Sequence, residues 1–139
     1  MILRHDPKNL IFQSSQEYGL SLPKPEYFII NVAKDFNNPR ADLWIPYEDF
    51  VPINIDDLLK VAQIVKERFE RGQKTLIHCI SGEHRSVAFI LASISYIYKV
   101  SIEQAMKMLD PPIDFYQWTK EVPNQYFSIK LFEIKYVKP

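Results

Sequence analysis

Two apolar runs that meet across a short polar loop limit what this chain can fold into. KTLIHC (residues 74–79) shows little of the alternation of a half-exposed strand, which suits a strand covered on both faces. SVAFILASISYIYK (residues 86–99) is apolar on nearly every side when wound as a helix, so it reads as a central helix covered by others. It contains three serines and falls short of the roughly 20 residues that span a bilayer, so it belongs to a core and not to a membrane. A buried strand feeding a buried helix implies a sheet with helices packed on it.

The remaining segments fill in that layout. NLIFQSS (residues 9–15) and EYFIINVA (26–33) are rich in β-favouring residues and read as strands; ADLWIP (41–46) reads as a third, ended by Pro46. Before the strand at 74–79 lies NIDDLLKVAQIVKERFERG (54–72), the most regular amphipathic helix of the chain. Ile55, Leu58, Leu59, Ala62, Val65 and Phe69 recur at helical spacing, Asn54 caps the start, Asp56 and Asp57 suit the positive end, and Gly72 closes it. Strand, helix, strand in that order builds parallel sheet. Ser101 and Gln104 form a capping box for SIEQAMKML. NQYFSIKLFEIKYV (124–137) reads as a last helix with Phe127, Leu131 and Ile134 inward, its start marked by Pro123 and Asn124. The predicted fold class is α/β: a single compact domain over residues 1–139, with a central mixed, partly parallel sheet of about four or five strands flanked by helices.

Charge and cysteine content narrow the partners. The 17 basic and 17 acidic residues cancel, so overall charge offers nothing to nucleic acid or to a membrane surface, and either would need a local patch. The lone cysteine, Cys79, forms no internal disulfide, and no secretory-type leader precedes the first polar residues, so a cytoplasmic location and a monomer are the default expectations. With one cysteine and three histidines a zinc site is not expected, nor is a cofactor.

That cysteine stands at the end of the buried strand, and Arg85 stands at the start of the buried helix. Between them Gly82 lets the backbone curl until successive N–H groups and the positive helix end point to one place. The result is an anion cradle built by Ile80, Ser81, Gly82, Glu83, His84 and Arg85. A cysteine beside a cation and a helix start is favoured as the thiolate, which is a nucleophile. Arg85 adds a planar fork that matches two phosphate oxygens better than a lysine would. These parts fit attack of the Cys79 sulfur on the phosphorus of a phosphate ester, giving a phosphocysteine that water hydrolyses, with fixed donors aimed where charge builds. No metal is required.

The stretch HCISGEHRS (78–86) resembles the signature of the cysteine-dependent protein tyrosine and dual-specificity phosphatases, and His78, Cys79, Gly82, Arg85 and Ser86 all match it. The resemblance implies that His78 holds the loop and favours the thiolate, and that the Ser86 hydroxyl assists the sulfur when it leaves. It also implies a general acid, an aspartate on a separate loop well before the cysteine. In WIPYEDFVPIN (44–54), Asp49 lies 30 residues ahead of Cys79 and is the candidate, later acting as the base that activates water. Glu48, Asp56 and Asp57 are competitors, the last two better explained as first-turn helix carboxylates. NLIFQSS, YFIINVA and VPNQYFSIKLFEI look like the first strands and final helix of such enzymes. The link from Gln16 to Glu26 is shorter than usual, where typical members have room for a helix, so a trimmed fold is expected.

The activity this implies is that of a small dual-specificity-type protein phosphatase acting on phosphotyrosine in proteins or peptides, with phosphoserine and phosphothreonine left open. An RNA 5′-phosphatase or an inositol phosphate or pyrophosphate phosphatase would use the same chemistry, and a catalytically silent phospho-residue binding module would keep the cradle. Glu83 stands where enzymes acting on phosphoinositides tend to carry lysine, which weighs against a lipid substrate. His84 reads as a rim side chain and His5 as part of a loose terminus. The segment DPPIDFYQWTKEVPN (110–124) is long for a connection between helices, and its Phe115, Tyr116 and Trp118 fit a pocket rim and a core cover equally well.

Overall fold

The computed structural model describes residues 2–21 and 26–138. Five strands, β1 (Ile2–His5), β2 (Ile11–Ser14), β3 (Tyr27–Ala33), β4 (Leu43–Tyr47) and β5 (Lys74–His78), form one sheet in the order β1-β2-β5-β3-β4. The β2–β5, β5–β3 and β3–β4 pairs are parallel, and β1 runs antiparallel to β2. The α/β class and mixed sheet expected from the order of elements are therefore present, with β5 at the centre.

The parallel return from β4 to β5 is made by α2 (Ile55–Glu70), where the Asn54 side chain accepts from the Asp56 N–H. Gly72 follows at φ +69, a left-handed turn that glycine adopts without a Cβ penalty. α3 (Arg85–Tyr98) leaves β5 through the loop at 79–84, and every residue from Arg85 to Ser95 is buried. It packs against α2, α4 (Ile102–Met108) and α6 (Pro123–Tyr136). Phe89, Ile90, Leu91 and Ile94 are fully buried, each contributing roughly 1.5–3 kcal/mol relative to exposure. Strand alternation divides the sheet between two clusters. Ile11, Ile30, Val32 and Ile77 face the large helices, while Phe12, Leu76 and Ile29, partners in register across β2, β5 and β3, meet Tyr18 of α1 (Gln16–Ser21) on the other side. Among the described residues no single helix is long and apolar enough to cross a membrane.

Five local expectations are corrected. Pro46 does not end the third strand: β4 continues to Tyr47, because it is an edge strand, where a missing N–H is tolerated. His5 is not in a loose terminus but in β1, where its backbone also exchanges hydrogen bonds with Asp110. The β1–β2 turn is tied by buried Asp6, whose carboxylate accepts from the N–H groups of Lys8, Leu10 and Ile11 and from the Tyr98 hydroxyl. The link after β2 does hold a short helix, α1; residues 22–25 of that link lie outside the described residues. Segment 110–124 is not one open connection: it contains α5 (Phe115–Glu121), capped by Asp114.

The fifth correction concerns α6. Phe127, Leu131 and Ile134 are exposed by 64%, 43% and 60%, while Gln125, Ser128, Ile129, Phe132 and Glu133 are buried. This helix has apolar residues all round, so apolar spacing does not select a face. Polar partners do: buried Glu133 accepts from the Ile102 N–H that opens α4 and pairs with Lys130 and Lys138, and Ser128 accepts from the Ile53 N–H.

Candidate active site

Cys79 follows the last residue of β5, with only 2% of its surface exposed, and Arg85 opens α3. The loop between them is shaped by donors that lie outside it. The Cys79 carbonyl accepts from His78 Nδ1 (3.0 Å), Ile80 from the Gln16 N–H (3.0 Å), Gly82 from Gln13 Nε2 (2.6 Å), and Glu83 from the Trp118 indole (3.0 Å). In a planar trans peptide, a carbonyl drawn to one side turns the next residue's N–H to the other. The N–H groups of Ile80, Ser81, Glu83 and His84 are thereby presented away from these donors. Among the described residues none of the N–H groups from Ile80 to Arg85 donates to a protein acceptor, so these donors are open to an anion. Gly82 is required twice over: its φ is +82, and a Cβ there would meet Leu3 Cδ1 at 2.4 Å and the Ser14 carbonyl at 3.0 Å.

Ser86 Oγ lies 3.1 Å from Cys79 Sγ and accepts from Gln13 Nε2 at 2.7 Å, which leaves its own hydrogen for the sulfur. His78 is fully buried, and burial lowers its pKa against the raising effect of its contact with the Cys79 carbonyl. Its tautomer follows from its neighbours. Asn38 Oδ1 accepts from the Arg40 N–H and its amide nitrogen donates to the Gly19 carbonyl, so that nitrogen, 3.0 Å from His78 Nε2, donates there as well. Nδ1 then carries the hydrogen given to Cys79. α1 supports this side of the loop closely, for a Cβ at Gly19 would fall 2.6 Å from His78 Cδ2.

Arg85 is 4% exposed, and its Nη1 donates both to Asp35 Oδ1 (2.8 Å) and to the Tyr47 carbonyl (2.7 Å). Its Nε is buried with no partner, so the edge of the guanidinium that carries Nε remains available. The bond from Arg85 holds the Asp35 carboxyl below its ordinary value. Beside Arg85 opens a cleft lined by Lys34, Asp35, Glu48 and Asp49.

Asp49 lies on the loop between β4 and α2, and both its oxygens are engaged. Oδ2 lies 2.9 Å from His84 Nδ1; Oδ1 accepts from the Phe50 N–H (2.9 Å) and from Gln125 Nε2 (3.0 Å). Burial raises the carboxyl's pKa, but the bonds from His84 and Phe50, with the charges of His84 and Arg85, outweigh it and hold the group below its ordinary value. Phe50 has φ +65, a conformation uncommon for a bulky residue and frequent at functional sites, and Asn124 of α6 donates to its carbonyl. The competing acids are used elsewhere. Glu48 pairs with Lys34 on the surface, Asp56 accepts from the Tyr136 hydroxyl, and Asp57 accepts from the Tyr47 hydroxyl, whose pKa is pushed up to about 12 by burial and by Asp57.

The fold thus brings His78, Cys79, Gly82, Arg85, Ser86 and Asp49 to one end of the sheet. Glu83 and Trp118 are parts of the wall of a neighbouring cavity that Arg4 also lines. The aromatics of α5 divide: Trp118 is buried and braces the loop through Glu83, Phe115 packs against Tyr116 and Tyr126, and Tyr116 is 82% exposed. His84 is more than a rim side chain, since Glu121 also lies 3.2 Å from its Nε2. Sequence reasoning missed Gln13, Asn38, Asp35 and Gln125. Only Gln13 left a signal, as a lone amide interrupting an apolar strand.

The family model described as "Dual specificity phosphatase, catalytic domain" matches residues 25–135. The chain is 30% identical over 93 residues to tyrosine-protein phosphatase MSG5 of Saccharomyces cerevisiae, a match covering 58% of this chain and 19% of that protein. It is likewise 30% identical over 84 residues to putative tyrosine phosphatase 123R of Invertebrate iridescent virus 6, covering 58% of each. The chain therefore matches less than two thirds of either relative. Among solved structures, PTPMT1 in complex with PI(5)P superposes with a TM-score of 0.72 at 14% identity, covering 95% of both chains, a likeness of fold.

Proposed function

The chain belongs to the family of dual-specificity phosphatase catalytic domains, and from that premise we propose that it hydrolyses phosphate monoesters of proteins, phosphotyrosine first, through a phosphocysteine. One observation carries this reading: N–H groups from Ile80 to Arg85, and the Arg85 Nε, that have no protein partner among the described residues stand around the end of β5, where Cys79 lies. Fixed donors of this kind need no reorganisation as charge builds on the phosphoryl oxygens.

In this mechanism the Cys79 sulfur attacks phosphorus, the S–P bond forms and the bond to the leaving oxygen breaks, while Asp49, protonated at that point, gives its proton to that oxygen. Water then attacks phosphorus, its proton passes to Asp49, and the S–P bond breaks as Ser86 donates to the departing sulfur. General acid assistance of this type contributes roughly 10²–10⁴-fold. The same chemistry would serve an RNA 5′-phosphatase or an inositol phosphate phosphatase. Glu83 in the loop weighs against such highly charged substrates, and the cleft adds no surplus of positive charge, because Lys34 pairs with Glu48 and Arg85 with Asp35. We also assign residues 1–139 to one catalytic unit and, because Cys79 must stay a free thiol, place it in a reducing compartment such as the cytoplasm.

The test is hydrolysis of 4-nitrophenyl phosphate, then of phosphotyrosine peptide, triphosphate-ended RNA and inositol phosphates. Wild type should act on the first two, and Cys79→Ser should abolish both activities. A well-folded wild type without activity, or activity that survives Cys79→Ser, would end the reading.

A further inference from the structure

Within the cradle loop, His84 is the residue whose side chain joins two carboxylates from different elements. Its Nδ1 is 2.9 Å from Asp49 Oδ2, on the loop after β4, and its Nε2 is 3.2 Å from Glu121 Oε1, at the end of α5. The Phe50 ring packs against the imidazole at 5.2 Å between centroids. The second oxygen of Asp49 is taken by Gln125 of α6 and by the Phe50 N–H, so the acid loop is fastened to the cradle on one side and to α6 on the other.

A neutral imidazole has one N–H and can donate to only one of two carboxylates. Contacts at both nitrogens therefore imply one additional proton in the cluster. Either the ring is an imidazolium between two carboxylates, or Asp49 holds the proton and donates to Nδ1 while Nε2–H donates to Glu121. These forms differ by one proton moved along a single hydrogen bond. We propose that Asp49, His84 and Glu121 form a proton-holding unit, in which His84 is a positioning residue that keeps Asp49 docked at the cradle and shares with it the proton destined for the leaving group.

The proposal rests on Asp49 being the acid of the reaction set out above, and the proton count closes over a turnover. The proton leaves with the alcohol as the S–P bond forms, and the attacking water returns one to Asp49 as that bond breaks. A lone aspartate is almost wholly ionised at neutral pH, whereas a pair that keeps its proton until a histidine titrates stays loaded up to that point. Besides its two members, this pair is acted on by Glu121 from α5, which faces the ring, and by Arg85 from α3, which acts on Asp49; Lys34, Asp35 and Glu48 line the cleft on the Asp49 side. Burial lowers the His84 pKa, but its bonds to Asp49 and Glu121 and their charges outweigh that and leave it above the ordinary histidine value.

The test compares pH profiles of kcat on phenyl phosphate, a poor leaving group, and on 4-nitrophenyl phosphate, a good one. For wild type on phenyl phosphate, the alkaline limb should lie above the ordinary histidine range. Glu121→Gln, at a half-exposed site that does not disturb the core, should move that limb to lower pH. His84→Gln should move it to the carboxylate range and, near neutrality, reduce turnover of phenyl phosphate roughly ten- to a hundredfold more than that of 4-nitrophenyl phosphate. Equal losses on the two substrates, or an unmoved limb, overturn the proposal. NMR titration of the His84 ring reads the same unit without turnover: its midpoint should fall in Asp49→Asn and in Glu121→Gln, and an unchanged midpoint in both overturns the shared proton. An inactive wild type would defeat the phosphatase reading, while this titration would still decide whether the proton is shared.

Discussion

Replacing Gln13 by methionine removes three hydrogen bonds while keeping a side chain of similar length in place. Gln13 is fully buried on β2; its Nε2 donates to the Gly82 carbonyl at 2.6 Å and to Ser86 Oγ at 2.7 Å, and its Oε1 accepts from Arg4 Nη1 at 2.9 Å. Each neutral bond contributes about 0.5–1.5 kcal/mol net, and a buried partner left unsatisfied costs about 1–3 kcal/mol. Arg4 is half-buried and can turn to water, so its share is discounted. The sum is about 2–4 kcal/mol, which for a chain of this length lowers Tm by roughly 10 °C. The functional effect is separable: the Gly82 carbonyl keeps only Arg4 Nη1 at 3.4 Å, so the cradle loosens. The assays are the urea midpoint at constant m and competitive inhibition by inorganic phosphate, expected to weaken about tenfold for each 1.4 kcal/mol of lost cradle order. A variant with wild-type midpoint and wild-type phosphate inhibition would refute the claim that a second layer of donors sets the loop.

Gly82→Ala should be worse for the cradle, because a left-handed non-glycine residue costs about 1–2 kcal/mol before its overlap with Leu3 and Ser14 is counted; unfolding midpoint and phosphate inhibition should both shift. Asn38→Leu removes the donor that fixes the His78 tautomer, and should slow alkylation of Cys79 by iodoacetamide at neutral pH; an unchanged rate would remove Asn38 from the site. Docking of the acid loop should depend on pH from both sides. Asp49, with a lowered folded pKa, contributes above its unfolded value of about 4 and loses its contribution as pH falls through the folded one; His84, with a raised pKa, contributes fully below about 6.5 and loses its contribution as pH rises through its folded value. Hydrogen-exchange protection at residues 48–54, taken relative to the intrinsic exchange rate at each pH, should therefore be greatest between about pH 4 and 6.5, and a flat protection profile counts against the docking. On α6, Phe127→Ser should change stability by no more than about 0.5 kcal/mol, whereas Phe132→Ala should cost about 3–5 kcal/mol; the reverse order would contradict the buried face described above.

The sequence by itself determined the features whose cause lies within a few neighbouring residues. The strand, loop and helix around Cys79 and the caps and apolar stripe of α2 are written in local spacing, and each stands where that spacing put it; Asp49 is marked only by the resemblance of its loop to the family's acid loop. Tertiary structure alone decided the rest, because the deciding partner is distant in the chain. Pro46 is allowed in β4 because that strand lies at the edge of the sheet; α6 turns Phe132 inward because Glu133 must meet Ile102 and Lys138; Trp118 is a brace because its indole finds the Glu83 carbonyl. The same holds at the site. Local pattern marks Arg85, and the resemblance marks Asp49, but only folding brings Asp35 to Arg85, Gln125 to Asp49, and Glu121 to the histidine between cradle and acid loop. Apolar periodicity carries information about which face is buried, and none about which polar group a buried side chain will meet.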